Sequence, residues 1–258
     1  MTRTPIVAGN WKMNLLHADI AAYAQALSAA GPPEAPADVV LFPTPVYLGL
    51  AATAMPHWTA VGAQDIHAEN GGAYTGDVAA AQIVDAGASW ALAGHSERRQ
   101  YHGESNDDVA RKARRALDAG LIPVICVGET LEQRQRDETE AVLDAQLEAV
   151  LEVLAAAGDT GVGAVIAYEP VWAIGTGLSA SPEIAASVHG HLRARLNGHQ
   201  AGLGDSTRIL YGGSVNAGNC RDLIGRPDID GFLIGGASLD PASFLRIIRL
   251  STGSGGGS

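Results

Sequence analysis

Positive charge, aromatic side chains and cysteine are all scarce in this 258-residue chain. Lys and Arg number 17 against 28 Asp and Glu, a formal net charge of −11. Nucleic acids and anionic membrane surfaces are held by positive fields, so neither is an expected partner. An anionic small molecule would have to be captured by local groups instead. Cys126 and Cys220 are the two cysteines. They form no CxxC and no disulfide framework, and free thiols in a reducing cytoplasm are the simpler reading, although one disulfide stays open. No apolar run approaches the ~18 residues a membrane-spanning helix needs. Residues 1–5 lead into a short apolar run that soon meets Asn10 and Lys12, unlike a signal peptide. There is no GxxxxGK[ST] phosphate loop, no HExxH and no Cys/His cluster at metal spacing, so neither metal nor cofactor is expected. His189 and His191 stand two apart on a predicted helix, point to different faces, and read as a surface pair rather than metal ligands. The stretch Gly175-Thr176-Gly177-Leu178-Ser179-Ala180 matches GxGxxA in form only. It follows its strand by about six residues, and Glu183 is too close for the acid that a dinucleotide site places about 20 residues on.

What the chain has is 47% hydrophobic residues, 32 glycines and a regular alternation. Short β-rich runs lie near 6–9, 39–42, 60–63, 91–94, 122–127, 164–168, 209–210 and 231–234, each followed by a helical pattern. The clearest is 131–156, where Val142, Leu143, Leu147, Val150, Leu151 and Leu154 recur at spacings of three and four. Thr130 with Gln133 and Ser105 with Asp108 resemble capping boxes, and Ser181-Pro182-Glu183 resembles a helix start. Eight strand–helix units of roughly 31 residues fit an α/β fold of the closed (β/α)8 type, eight parallel strands inside an outer ring of helices. An open doubly wound sheet shares the alternation and is the alternative. No linker or composition break divides residues 1–250, which read as one barrel domain; 251–258 read as a flexible Gly/Ser tail.

In such barrels the chemistry sits just past the strand ends. Those positions hold Asn10, Lys12, Gln64, His95, Gly128, Glu129, Glu169, Gly212-Gly213-Ser214 and Gly235-Gly236. Lys12, His95 and Glu169 offer a cation, an imidazole and a carboxylate. Proton abstraction beside a carbonyl needs a base, an electrophile for the developing oxyanion and a site that excludes water. Taken singly each has a plain structural reading: a solvated charge, a helix cap, a strand end. The two Gly-rich turns after the last two strands can hold phosphate through backbone N–H groups, or be ordinary tight turns. Residues 170–177 are apolar where a polar loop is expected, which suits a lid over the site, with Trp172 and Ile174 as its covers, or a loop packed permanently on the barrel.

Six blocks carry a closer likeness: Gly9-Asn10-Trp11-Lys12-Met13-Asn14, Gly94-His95-Ser96-Glu97-Arg98-Arg99, Cys126-Val127-Gly128-Glu129-Thr130-Leu131, residues 167–177, Tyr211-Gly212-Gly213-Ser214-Val215 and residues 231–237. In this order they resemble the triosephosphate isomerase family, over residues 5–250. The resemblance implies a TIM barrel and a cofactor-free isomerase of glycolysis and gluconeogenesis, interconverting dihydroxyacetone phosphate and D-glyceraldehyde 3-phosphate. It implies Glu169 as the proton-shuttling base, His95 as a neutral electrophile, Lys12 and Asn10 on the substrate, and Glu97 in support. Phosphate would meet Gly175, Ser214, Gly235 and Gly236. It further implies a cytoplasmic homodimer in which the loop 64–77 inserts into its partner and Thr75 approaches Asn10 and Lys12 of the partner subunit. Asp77 departs from the family's Glu by one methylene. The alternatives are a barrel enzyme for a larger sugar phosphate, for which no second acid/base or metal set is present, and an inactive phosphate-binding barrel, which the intact Lys12, His95 and Glu169 speak against.

Overall fold

In the computed structural model, residues 3–160, 162–174 and 180–253 are described. Eight strands close into a parallel barrel in chain order: β1 (Ile6–Asn10), β2 (Asp38–Phe42), β3 (Thr59–Ala63), β4 (Trp90–Ala93), β5 (Ile122–Val127), β6 (Val165–Tyr168), β7 (Arg208–Tyr211) and β8 (Gly231–Ile234). β1 pairs with both β2 and β8, which rules out the open sheet. The ends of β5 and β8 match the sequence reading, and those of the other strands differ from it by no more than one residue.

The closure follows from the apolar pattern. Strand side chains alternate between two faces, and both faces are apolar here. Ile6, Ala8, Val40, Phe42, Leu92, Val124, Cys126, Val165, Ala167, Leu210 and Leu233 fill the barrel interior as one cluster. Their strand neighbours, among them Val7, Val39, Ile125, Ile166, Ile209 and Phe232, face outward into the larger core beneath the helices. Gly62 lets the large inward rings fit: a Cβ there would lie 2.4 Å from Phe42 Cε1 and 2.7 Å from Trp90 Cβ.

The expected helix over 131–156 is three helices, Leu131–Gln135, Thr139–Glu148 and Leu151–Thr160. Residues 132–140 are uniformly polar apart from their aliphatic stems, so no buried stripe holds a first long segment together, and Asp137 turns left-handed at φ 55°. The capping signals hold. Ser105 N–H donates to Asp108 at 2.9 Å, Thr130 N–H donates to Gln133 at 2.9 Å, and Ser181 Oγ accepts from Ile184 N–H at 3.3 Å. Residues 251 and 252, expected in a flexible tail, instead end a helix. The helix Pro241–Thr252 includes Ser251, which is buried and donates to Ile247 O at 2.7 Å. Residues 254–258 lie outside the described ones.

His189 also departs from expectation. It is fully buried, packed edge-on against Tyr168 with ring centroids 5.9 Å apart, and its Nδ1 donates to Asp228 O at 3.0 Å. His191 is half-buried and meets Asp144 at 2.8 Å instead. The pair on different faces is as expected; the surface location of His189 is not, because a ring with one polar contact met can serve as core filler. Both cysteines are buried and free. Among the described residues no helix is long and apolar enough to cross a membrane.

Candidate active site

A cavity of about 330 Å³ opens at the C-terminal ends of the strands, and its lining includes Asn10, Lys12, His95, Glu169, Ser214, Gly235 and Gly236. The barrel register brings together residues up to 226 positions apart because each follows its own strand. Gly175 lies outside the described residues. Thr75 is not part of this lining: it stands on the exposed loop after β3.

Lys12 is held in a left-handed conformation, φ 49°, which costs a non-glycine residue roughly 1 kcal/mol. Two hydrogen bonds hold it there, and a third anchors the Gln64 amide that makes one of them. Lys12 N–H donates to Asn10 Oδ1 at 3.0 Å, while Gln64 Nε2 donates to Lys12 O at 2.8 Å and to Phe42 O at 2.9 Å. The ammonium reaches Glu97 Oε1 at 2.6 Å.

His95 caps the helix Ser96–His102. Its Nδ1 accepts from Glu97 N–H at 3.2 Å, and its Nε2 faces Glu169 Oε1 at 2.9 Å. A nitrogen that accepts cannot carry a proton, so the ring is the neutral Nε2–H tautomer and points that proton at the cavity. Burial disfavours the imidazolium, but the Glu169 carboxylate outweighs burial and draws the His95 pKa above its ordinary value. That pull belongs to the resting pair. Against that pull, burial, Lys12 and the helix start all favour the neutral ring.

Glu169 is buried. Burial alone would raise its pKa; His95, the Ser96 N–H at 2.8 Å from Oε2 and Lys12 lower it below the usual carboxylate range. Beneath it lies Cys126, whose thiol burial pushes well up, so it is an inert packing group. Residues on both sides of Glu169 are tethered too: Trp172 Nε1 donates to Glu129 Oε1 at 2.9 Å, and Tyr168 OH donates to the same oxygen at 3.2 Å. After β7 and β8, Ser214 O accepts from Asn219 Nδ2 at 2.9 Å, and Gly235 and Gly236 open the short turn Gly236–Ser238.

Sequence reasoning located the carboxylate, imidazole and ammonium but missed Ser96 and assigned no role to Gln64 or Glu129. Ser96 acts through its backbone N–H, which any residue type carries, so no side-chain signal marks it.

Fold and mouth together define a (β/α)8-barrel enzyme whose polar site sits at the strand ends, with a carboxylate and a neutral imidazole side by side. Comparison with known proteins narrows the class. A family model described as Triosephosphate isomerase matches residues 5–251. Proteins named triosephosphate isomerase from Xanthomonas campestris pv. campestris strain 8004 and Stenotrophomonas maltophilia strain K279a are each 51% identical to this chain, covering 96% of it and 98% of themselves. One from Halorhodospira halophila is 48% identical over 95% of this chain and 97% of its own length. The chain belongs to the triosephosphate isomerase family.

Proposed function

We propose that the chain interconverts dihydroxyacetone phosphate and D-glyceraldehyde 3-phosphate through an enediolate, with Glu169 as the single base. The observation that carries the reading is the placing of His95: Nδ1 accepts from Glu97 N–H, which leaves the proton on Nε2, 2.9 Å from the Glu169 carboxylate at the cavity wall. Glu169 leaves His95 and the Ser96 N–H and takes a proton from the carbon beside the carbonyl. His95 Nε2–H then donates to the carbonyl oxygen, and the Lys12 ammonium offsets the developing negative charge. His95 takes the proton of the adjacent hydroxyl in place of the one it gave to the former carbonyl oxygen, and Glu169 returns its proton to the neighbouring carbon, so that hydroxyl and carbonyl exchange places. Asn10 orients the substrate and fixes the Lys12 backbone; Glu97 holds the Lys12 ammonium at rest. Gly175, Ser214, Gly235 and Gly236 meet the phosphate through backbone N–H groups. The 170–177 segment serves as the lid that excludes water and protects the enediolate. The whole scheme uses protein groups alone and calls for neither metal nor cofactor.

Residues 1–250 form one barrel domain in this reading, and the active form is a cytoplasmic homodimer. Met13 and Val46 are 91% and 80% exposed, large apolar side chains that a partner would cover, and the exposed loop carrying Thr75 would complete the partner's site. Two buried free thiols suit a reducing compartment. The test of the activity is conversion of D-glyceraldehyde 3-phosphate by the purified chain in metal-free buffer. Fast conversion supports the reading, and none by a folded sample contradicts it.

A further inference from the structure

Gln146 lies on the helix Thr139–Glu148, outside the barrel. It shares the inward stripe of that helix with Leu143 and Leu147, both fully buried. An amide in that stripe is out of pattern, and it has two specific partners. Its Oε1 accepts from Gly128 N–H at 2.7 Å, and its Nε2 donates to Gly128 O at 3.0 Å. One side chain thus meets both polar backbone groups of one residue, and it tells N–H from C=O.

Gly128 is the first residue after β5, and its neighbours carry the segment that bears the base. Val127 O accepts from Glu169 N–H at 2.7 Å, and Glu129 O accepts from Val171 N–H at 3.1 Å. Gly128 itself is pressed onto the Glu169 backbone: a Cβ there would stand 1.7 Å from Glu169 O. Residues 127–129 are therefore a shelf on which residues 169–171 rest. The middle of that shelf is a glycine, whose backbone is otherwise the least restricted of any residue.

The geometry points to Gln146 as a positioning residue for the isomerisation: by clamping the Gly128 backbone it fixes the orientation of the shelf, and through the shelf the placement of the Glu169 carboxylate. The inference rests on Glu169 being the base. Proton transfer from carbon is steeply sensitive to such placement, and a misplacement of about 1 Å can cost on the order of 100-fold.

Two variants test it. Gln146→Met keeps the bulk and removes both hydrogen bonds. Its kcat should fall about tenfold while KM stays within about twofold, because three of the four proposed phosphate contacts, Ser214, Gly235 and Gly236, sit after β7 and β8. Gln146→Glu supplies a switch. Ionised, its carboxylate still accepts from Gly128 N–H but sets a bare oxygen against Gly128 O; protonated, it donates there and restores both bonds. The ratio of Gln146→Glu kcat to parent kcat should rise as pH falls from about 8 to about 5.5, while the Gln146→Met ratio stays flat. A role in stability alone moves melting temperature without this pH signature. The proposal is overturned by a Gln146→Met kcat within twofold of the parent, by a flat Gln146→Glu ratio, or by loss of the folded barrel in both variants. Glu169→Gln, assayed alongside, separates the two ideas. Near-parent turnover there removes the base assignment itself, whereas an inactive Glu169→Gln with a flat Gln146→Glu ratio removes only the clamp.

Discussion

At the scale of single residues, the resting site is a closed circuit of charge. Lys12 is on Glu97, His95 Nδ1 is on the Glu97 N–H, and Glu169 is on His95 and Ser96. Each contact orients a group that the proposed reaction uses. Glu169→Gln removes the basic oxygen pair while keeping the shape. Its kcat should fall by at least about 1,000-fold, with the far-UV circular dichroism of the parent. Turnover within tenfold of the parent would remove Glu169 from its role. Lys12, His95 and Glu169, which the structure brings to one cavity, were legible in the sequence because each sits beside a strand end in a distinctive block. The groups that orient them were not, for a physical reason: Ser96 and Gly128 act through backbone atoms. Gln146 acts on a residue 18 positions away, and the one visible sign was an amide between Leu143 and Leu147.

At the scale of elements, all eight strands were readable because strands buried on both faces show as continuous apolar runs. The helices were less so. The break at residues 136–138 comes from the polar run before Val142, which the apolar spacing downstream masked. The burial of His189 could not be read either, since the helix Pro182–His199 shows which faces are apolar but not which polar residue lies under them. That burial has a measurable consequence. Desolvation, partly offset by the Asp228 carbonyl, pushes the His189 pKa down to about 4. In the unfolded chain it returns to about 6.5, so between these values the unfolded state binds more protons than the native state. Stability is then fully present above pH 6.5 and declines as pH falls toward 4, by roughly 3 kcal/mol from this one ring. His189→Asn keeps a donor for Asp228 O and does not titrate. Urea midpoints measured from pH 7 to 4.5 should fall less steeply for His189→Asn than for the parent; parallel slopes would show that the ring does not control this window.

At the scale of the whole molecule, a net charge of −11 surrounds a site built for an anion. In the proposed reading the capture of phosphate falls to Lys12 and to backbone N–H groups, whose fields act at short range. Large apolar side chains left exposed, with the loop of Thr75, argue for a second copy. Sedimentation equilibrium at micromolar concentration should give twice 26.5 kDa, and Thr75→Arg should shift the chain toward monomer and lower its kcat. A fully active monomer contradicts the homodimer. The most direct test of the central claim, proton transfer through an enediolate by one base, is 1H NMR of D-glyceraldehyde 3-phosphate turnover in metal-free D2O. The expected result is rapid formation of dihydroxyacetone phosphate carrying solvent deuterium at C1, because the proton held by Glu169 exchanges with solvent before its return. Wholly unlabelled product, or no product from a folded dimer, would contradict it.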